Sequence, residues 1–256
     1  MSLKSSCLIS ISSLLAILIL SGTSGAAPSG VRLEPNVIAQ QPSMLGDLGL
    51  NVTNFVRQPD LYLLVAGLSV IPGFEHHESV DLNEDLGESP RARRLLRYGN
   101  LLGNPIIPIA ASITSYGIGR WLHFNKLAAF GCDLASAQML NGALTLSMKV
   151  GLARRRPDRS PYSFPSGHSS TAFTTAGVIM HHFGPGWGLL AEGVGAYVGV
   201  SRLGANKHYV SDVVAGAILG NYIAWRVGHR RSAMERFNLA PTIGGREYGA
   251  QMTLRF

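Results

Sequence analysis

Cysteine is nearly missing from this chain. Among 256 residues only Cys7 and Cys132 occur, and Cys7 sits in a segment that reads as removable. Cys132 is then left alone, so no intrachain disulfide can form and cysteine chemistry does not carry the function. Charge is also sparse: 14% of residues are Asp, Glu, Lys or Arg, with 22 basic against 15 acidic for a net charge of +7. No Lys/Arg stripe is interleaved with aromatics, which excludes the usual nucleic-acid surface. A modest basic excess instead suits phosphate-bearing small molecules or anionic lipid headgroups. Alternation of period two is missing from the middle of the chain, so a sheet core is excluded and the expectation is all-α. Hydrophobic residues make up 46% of the chain and mean hydropathy is +0.18, which leans towards membrane association.

The N-terminus has the layout of an export signal. Lys4 supplies positive charge, CLISISSLLAILIL is an apolar core, and SGTSGAA offers small residues for cleavage near Ala26. Residues 1–26 therefore read as a signal helix and 27–59 as a lead-in with one short helix. A helical domain is expected over 60–232 and a tail over 233–256. Gly and Pro punctuation divides the domain into six helices near 60–72, 92–119, 126–150, 168–183, 187–202 and 209–230. The tail, with Tyr248, Met252, Leu254 and Phe256 alternating, reads as a short strand or hairpin. Asp133, Gln138 and Asn141 interrupt the third helix, and the run Ser169–Met180 spans roughly 18 Å at helical rise, short of a bilayer core. The expectation is an exported, periplasmic bundle resting on a membrane surface, with an integral six-span protein as the alternative.

Three clusters carry residues suited to chemistry. In SFPSGHSSTAF, a Pro-Ser-Gly-His corner precedes a helix-compatible run. Ser166 there can be an ordinary N-cap, or the backbone N–H groups of Ser166, Gly167 and His168 can hold an anion at the positive helix end. In KVGLARRRP, Lys149 and Arg156 bracket six residues before Pro157, which alone reads as a basic helix end. In SRLGANKHYVSD, Arg202 precedes His208 and Asp212, whose spacing of four puts a carboxylate beside an imidazole on one helix face. Together they assemble two planar guanidinium forks, a compact ammonium charge, two imidazoles and a carboxylate, a set matched to a tetrahedral phosphate dianion. Other features have plainer readings. EHHESVDLNED, from Glu75 to Asp85, lacks the glycine placement of a calcium loop and reads as a solvated acidic loop. His181 and His182 read as a helix end, and Arg154 and Arg155 either greet an anionic substrate or headgroup or merely solvate a loop.

In that order the three clusters match K-x6-R-P, P-S-G-H and S-R-x5-H-x3-D, and the chain thereby resembles the type 2 phosphatidic acid phosphatase superfamily. Bacterial acid phosphatases and vanadium haloperoxidases share this signature. The resemblance spans roughly Asp60 to Arg230 and implies a six-helix phosphatase core. It implies that His208 is a nucleophile forming a phosphohistidine, that Asp212 fixes its tautomer, and that His168 is the general acid and then base. Lys149, Arg156, Ser166, Gly167 and Arg202 are implied to hold the phosphoryl oxygens, without metal or cofactor. The implied substrate is a phosphorylated lipid, such as phosphatidic acid or a prenyl pyrophosphate, or a small phosphomonoester. Phosphoryl transfer to a second lipid and vanadate-dependent halide oxidation are the rival reactions. Because His208 must be neutral while His168 is protonated, a bell-shaped pH profile is expected.

Overall fold

A computed structural model describes residues 43–73, 90–244 and 247–254. The expected signal helix, the acidic stretch 75–85 and Phe256 lie outside the described residues. Helix α1, Met44–Val56, is the short helix expected in the lead-in; Ser43 caps it by accepting a hydrogen bond from the Gly46 N–H. Helix α2, Pro59–Val70, starts with proline in its first turn, where the missing N–H costs nothing.

The single helix expected over 92–119 is two. Helix α3, Pro90–Leu102, and α4, Ile106–Trp121, meet at a 46° bend. Pro105 disfavours helical geometry at Asn104 and cannot donate to the preceding turn. Asn104 offers its side-chain oxygen to the Ile106 N–H instead. The remaining helices fall within a few residues of expectation, except at the C-terminus of the last. They are α5, Asn125–Leu152; α6, Gly167–Phe183; α7, Pro185–Gly204; and α8, Val210–Arg236, six residues longer than expected. The tail forms two antiparallel strands, β1 (Phe237–Gly244) and β2 (Glu247–Leu254), paired from Phe237↔Leu254 to Gly244↔Glu247.

Helix α6 packs against α5, α7 and α8. Its contact with α8 is backbone-close because Gly216 and Gly220 lie four apart on one face. A Cβ on Gly216 would sit 2.7 Å from the Ser166 carbonyl oxygen, and one on Gly220 2.5 Å from that of Ser170. Larger residues would push α8 away from the mouth of α6. Below this contact Leu219, Ile223, Val178 and Leu134 are fully buried. Each contributes about 1.5–3 kcal/mol by leaving water.

The α5–α6 seam is polar. Gln138 donates to the Thr171 carbonyl (3.0 Å) and to Thr175 Oγ1 (2.9 Å), Asn141 donates to Thr171 Oγ1, and Thr145 meets Ser170 Oγ at 3.2 Å. The polar residues that had counted against a lipid setting for α5 thus point inward. Its outward face carries Met139, Leu146 and Val150, each more than half exposed. Ile106 and Ile113 on α4, and Leu189 and Leu190 on α7, are equally open. Among the described residues no single helix is long and apolar enough to cross a membrane; the bent pair Leu96–Leu102 with Ile106–Trp121 meets that length and composition together.

Candidate active site

The site forms where the C-terminal ends of α5 and α7 meet the N-terminal ends of α6 and α8. Helix α5 stops at Ala153, which takes the left-handed conformation (φ 46°) and returns its N–H to the Lys149 carbonyl. The loop from 153 to 166 then folds back over Lys149. Lys149 Nζ donates to the carbonyls of Tyr162 (2.8 Å), Ser163 (3.3 Å) and Pro165 (2.7 Å). The first motif therefore grips the peptide that leads into the second. Burial, then the nearby Arg156, lower the Lys149 ammonium to about 8, although Asp212 opposes the shift.

Ser166 is an N-cap in fact: extended backbone, with its Oγ accepting from the Ser169 N–H and hydroxyl. The ordinary reading of this serine therefore holds, and its backbone N–H, expected among the anion-holding groups, is already engaged. Its own N–H donates to the Asp212 carbonyl oxygen at 2.9 Å, which ties the mouth of α6 to the first turn of α8. A side chain on Gly167 would meet only ordinary contacts, 3.7 Å from Thr145 and 3.8 Å from Lys149. Its backbone is not in the glycine-only region, so what glycine supplies here is a bare helix end.

His208 lies in the turn before α8 and is almost fully buried. Its Nδ1 is 3.4 Å from Asp212 Oδ2. Burial, only partly offset by Asp212, lowers the imidazole to about 4. His168, on the first turn of α6, is also lowered to about 4 by burial and by the charges of Arg202, His208, Arg156 and Lys149. Both rings are therefore neutral at pH 7. Asp212 is the most heavily bonded group. Its Oδ1 accepts from Arg154 Nη1 at 2.8 Å, and its Oδ2 from the Ser163 hydroxyl and, at 2.9 Å, from the Tyr209 N–H. Burial works against the carboxylate, but the bonds from His208, Ser163 and Tyr209 hold its pKa below the ordinary value.

Arg202 closes the site from α7. Its Nη1 donates to Asn100 Oδ1 on α3, and burial followed by Arg156 lowers its pKa from the ordinary arginine value. The Nε atoms of Arg156 and Arg202 are buried and have no hydrogen-bond acceptor among the described residues. Buried guanidinium N–H groups without an acceptor are costly, and phosphoryl oxygens would satisfy them. The mutual perturbations place Lys149, Arg156, His168, Arg202, His208 and Asp212 within one electrostatic neighbourhood. All eight residues expected from the sequence sit at this end of the bundle.

Four residues were missed or left without a role: Asn100, Gly103, Arg154 and Ser163. Gly103, just past α3, lets that helix approach the site, since a Cβ there would lie 2.8 Å from the His168 Cβ. Asn100 and Gly103 belong to RYGNLLGNP, far from the motifs, and no spacing rule marks them. Ser163 opens the very stretch that drew attention, yet its carboxylate partner is 49 positions away.

Residues 130–233 match the family model described as PAP2 superfamily. Among curated proteins the chain is similar to the lipid A 1-phosphatase of Porphyromonas gingivalis. The two are 30% identical over 122 residues, which are 45% of this chain and 27% of that protein. The match thus spans about a quarter of that relative's length. Among solved structures the chain is similar to Aquifex aeolicus LpxE, with a TM-score of 0.49 and 21% identity, covering 57% of this chain and 92% of that one. It is also similar to the first transmembrane PAP2 type phosphatidylglycerolphosphate phosphatase from Bacillus subtilis, with a TM-score of 0.42 and 22% identity, covering 76% and 96%. Residues 130–233, which contain all three motifs and every catalytic and phosphate-binding candidate, are a PAP2 superfamily domain.

Proposed function

We propose that this protein is a phosphatase of phosphorylated lipids, with residues 60–232 as its catalytic domain, acting by histidine phosphoryl transfer at a membrane surface. The observation that carries the reading is the pair of buried, acceptor-less guanidinium Nε atoms of Arg156 and Arg202, converging with Lys149 on two neutral imidazoles. Three cations and the open N-terminus of α6 bind the phosphoryl oxygens and stabilise charge as it spreads in the transition state.

With Nδ1 turned to Asp212, His208 offers its other nitrogen to phosphorus. Its lone pair forms the P–N bond as the P–O bond to the leaving alkoxide breaks, and His168 delivers a proton to that oxygen. Water then attacks phosphorus, His168 takes the water proton, and the P–N bond breaks to return neutral His208. His168 is neutral in the free protein, so the bound phosphate dianion must raise its basicity by opposing burial and the three cations, Arg202, Arg156 and Lys149, that lower it. The lipid character of the substrate is supported by the curated relative, named as a lipid A phosphatase. The outward apolar faces of α4, α5 and α7 add to it.

The test is phosphate release by the detergent-extracted full chain in excess EDTA, with micellar lipid phosphates and a soluble aryl phosphate compared. EDTA-resistant release that is faster on lipid, and lost in His208→Ala, is expected. A folded protein that releases phosphate from none of these overturns the reading.

A further inference from the structure

Arg154 is one of three consecutive arginines in the loop after α5, and its neighbours differ from it. Arg155 is exposed, and Arg156 turns to the phosphate cradle. Arg154 is held at both its backbone and its head. Its carbonyl accepts the Ser163 N–H at 2.8 Å. Its Nη1 donates to Asp212 Oδ1 and to Ser211 Oγ, both at 2.8 Å. The guanidinium plane lies 4.3 Å from the centre of the Tyr209 ring, within cation–π range. The side chain is 9% exposed and that of Asp212 not at all.

Resting on the phosphatase reading, we propose that Arg154 is a positioning residue that holds Asp212 in register and takes up part of its negative charge, so that only the remainder acts on His208. The two carboxylate oxygens divide the work. One faces Arg154; the other takes Ser163, the Tyr209 N–H and the His208 ring. An unshared carboxylate against a buried imidazole stabilises the imidazolium, which cannot attack phosphorus. It also makes the ring a poorer leaving group when the phosphohistidine is hydrolysed. Arg154 counters both effects without touching substrate. The other charged or titratable groups facing His208 and Asp212 are Lys149 from α5, Arg156 from the loop, His168 from α6 and Arg202 from α7. Lys207, next in sequence to His208, is paired with Asp158 at 2.6 Å. Among these cations, Arg154 alone has a direct ion pair with the carboxylate within the described residues.

The test is the titration of His208 followed by NMR of the ring carbons in the detergent-extracted full chain, assigned by its loss in His208→Asn. Arg154→Gln keeps a donor and removes the charge; its His208 midpoint should rise by about one pH unit, a tenfold change in the neutral fraction on the acid side. The acid limb of kcat/KM should move with it. Arg154→Lys should keep the midpoint within about a third of a unit while kcat falls severalfold, because the charge stays and the fixed fork is lost. Arg154→Met, which still packs on Tyr209, serves if the glutamine variant does not fold. An unmoved midpoint in the folded charge-free variants overturns the proposal in favour of a purely structural arginine. A raised KM with an unmoved acid limb overturns it in favour of substrate contact. The NMR titration does not need turnover, so the proposal stands or falls separately even if the wild-type chain releases no phosphate.

Discussion

Helix α6 has a histidine–aspartate pair near each end, about 21 Å apart at helical rise. Near its N-terminus His208 meets Asp212 at 3.4 Å; near its C-terminus His182 meets Asp133 at 2.8 Å. By distance alone the second pair is the better dyad. It is sealed, however, by the edges of Phe130 and His181, whose ring centroids lie 5.6 and 5.3 Å from that of His182. No phosphate cradle converges on it. The first pair shares its carboxylate with Arg154, Ser163 and a backbone N–H, and faces Arg156, Arg202 and Lys149. It also lies at the helix end whose dipole favours anions, whereas the other end favours cations. An imidazole next to a carboxylate thus acquires chemistry from its surroundings: on the proposed reading one pair meets an anion, while the other pins α5 against α6.

Breaking the first pair should have the largest effect. His208→Ala is expected to lower kcat by at least roughly 10³-fold per folded molecule, because on the proposed mechanism the nucleophile is lost. Single-turnover phosphate release checks this. Arg202→Ala removes one of the two guanidinium groups whose buried Nε lacks an acceptor among the described residues and should cost about 10²-fold to 10³-fold in kcat/KM.

The pH profile sharpens the same contrast. His208 must be neutral, so kcat/KM should rise with pH through about 4. His168 must carry a proton as the leaving group departs, so kcat should fall above the value to which bound phosphate raises that ring, and loss of the Lys149 charge adds a further fall above about 8. The buried imidazoles have a second consequence, for stability. Their folded pKa values lie below the unfolded value, so the unfolded chain binds more protons between about 4 and 6.5. Stability is full above about 6.5 and declines as pH falls towards 4, which denaturant midpoints across that range would register. The smallest catalytic effect is expected at the far pair. Asp133→Asn should cost about 1–3 kcal/mol of stability by disturbing a buried hydrogen bond. Turnover per folded molecule should stay within about twofold, since Asp133 pairs with His182 at the opposite end of α6.

Much of this was legible beforehand, for a physical reason. The residues proposed to handle phosphate sit at helix ends, where Gly, Pro and Ser mark the chain, so their spacing survives in the linear order. The eight site residues and the helical class followed from that. The break at Pro105 was missed because an uncharged apolar run on either side outweighed the proline. What the polar residues of α5 face was hidden for a related cause: Asp133, Gln138 and Asn141 look alike in sequence whether they face solvent or a neighbouring helix. Only the partners Thr171, Thr175 and His182 decide which.

By itself, then, the sequence determined the helical class, most of the helix boundaries and the list of residues proposed to handle phosphate, because these depend on local periodicity and on motif spacing. Tertiary structure alone decided which carboxylate oxygen faces Arg154, that Asn100 and Gly103 brace Arg202 and His168 from α3, and that the polar faces turn inward. Those contacts join residues 25 to 102 positions apart. They exist because glycine-lined helices approach closely enough for side chains on different motifs to meet.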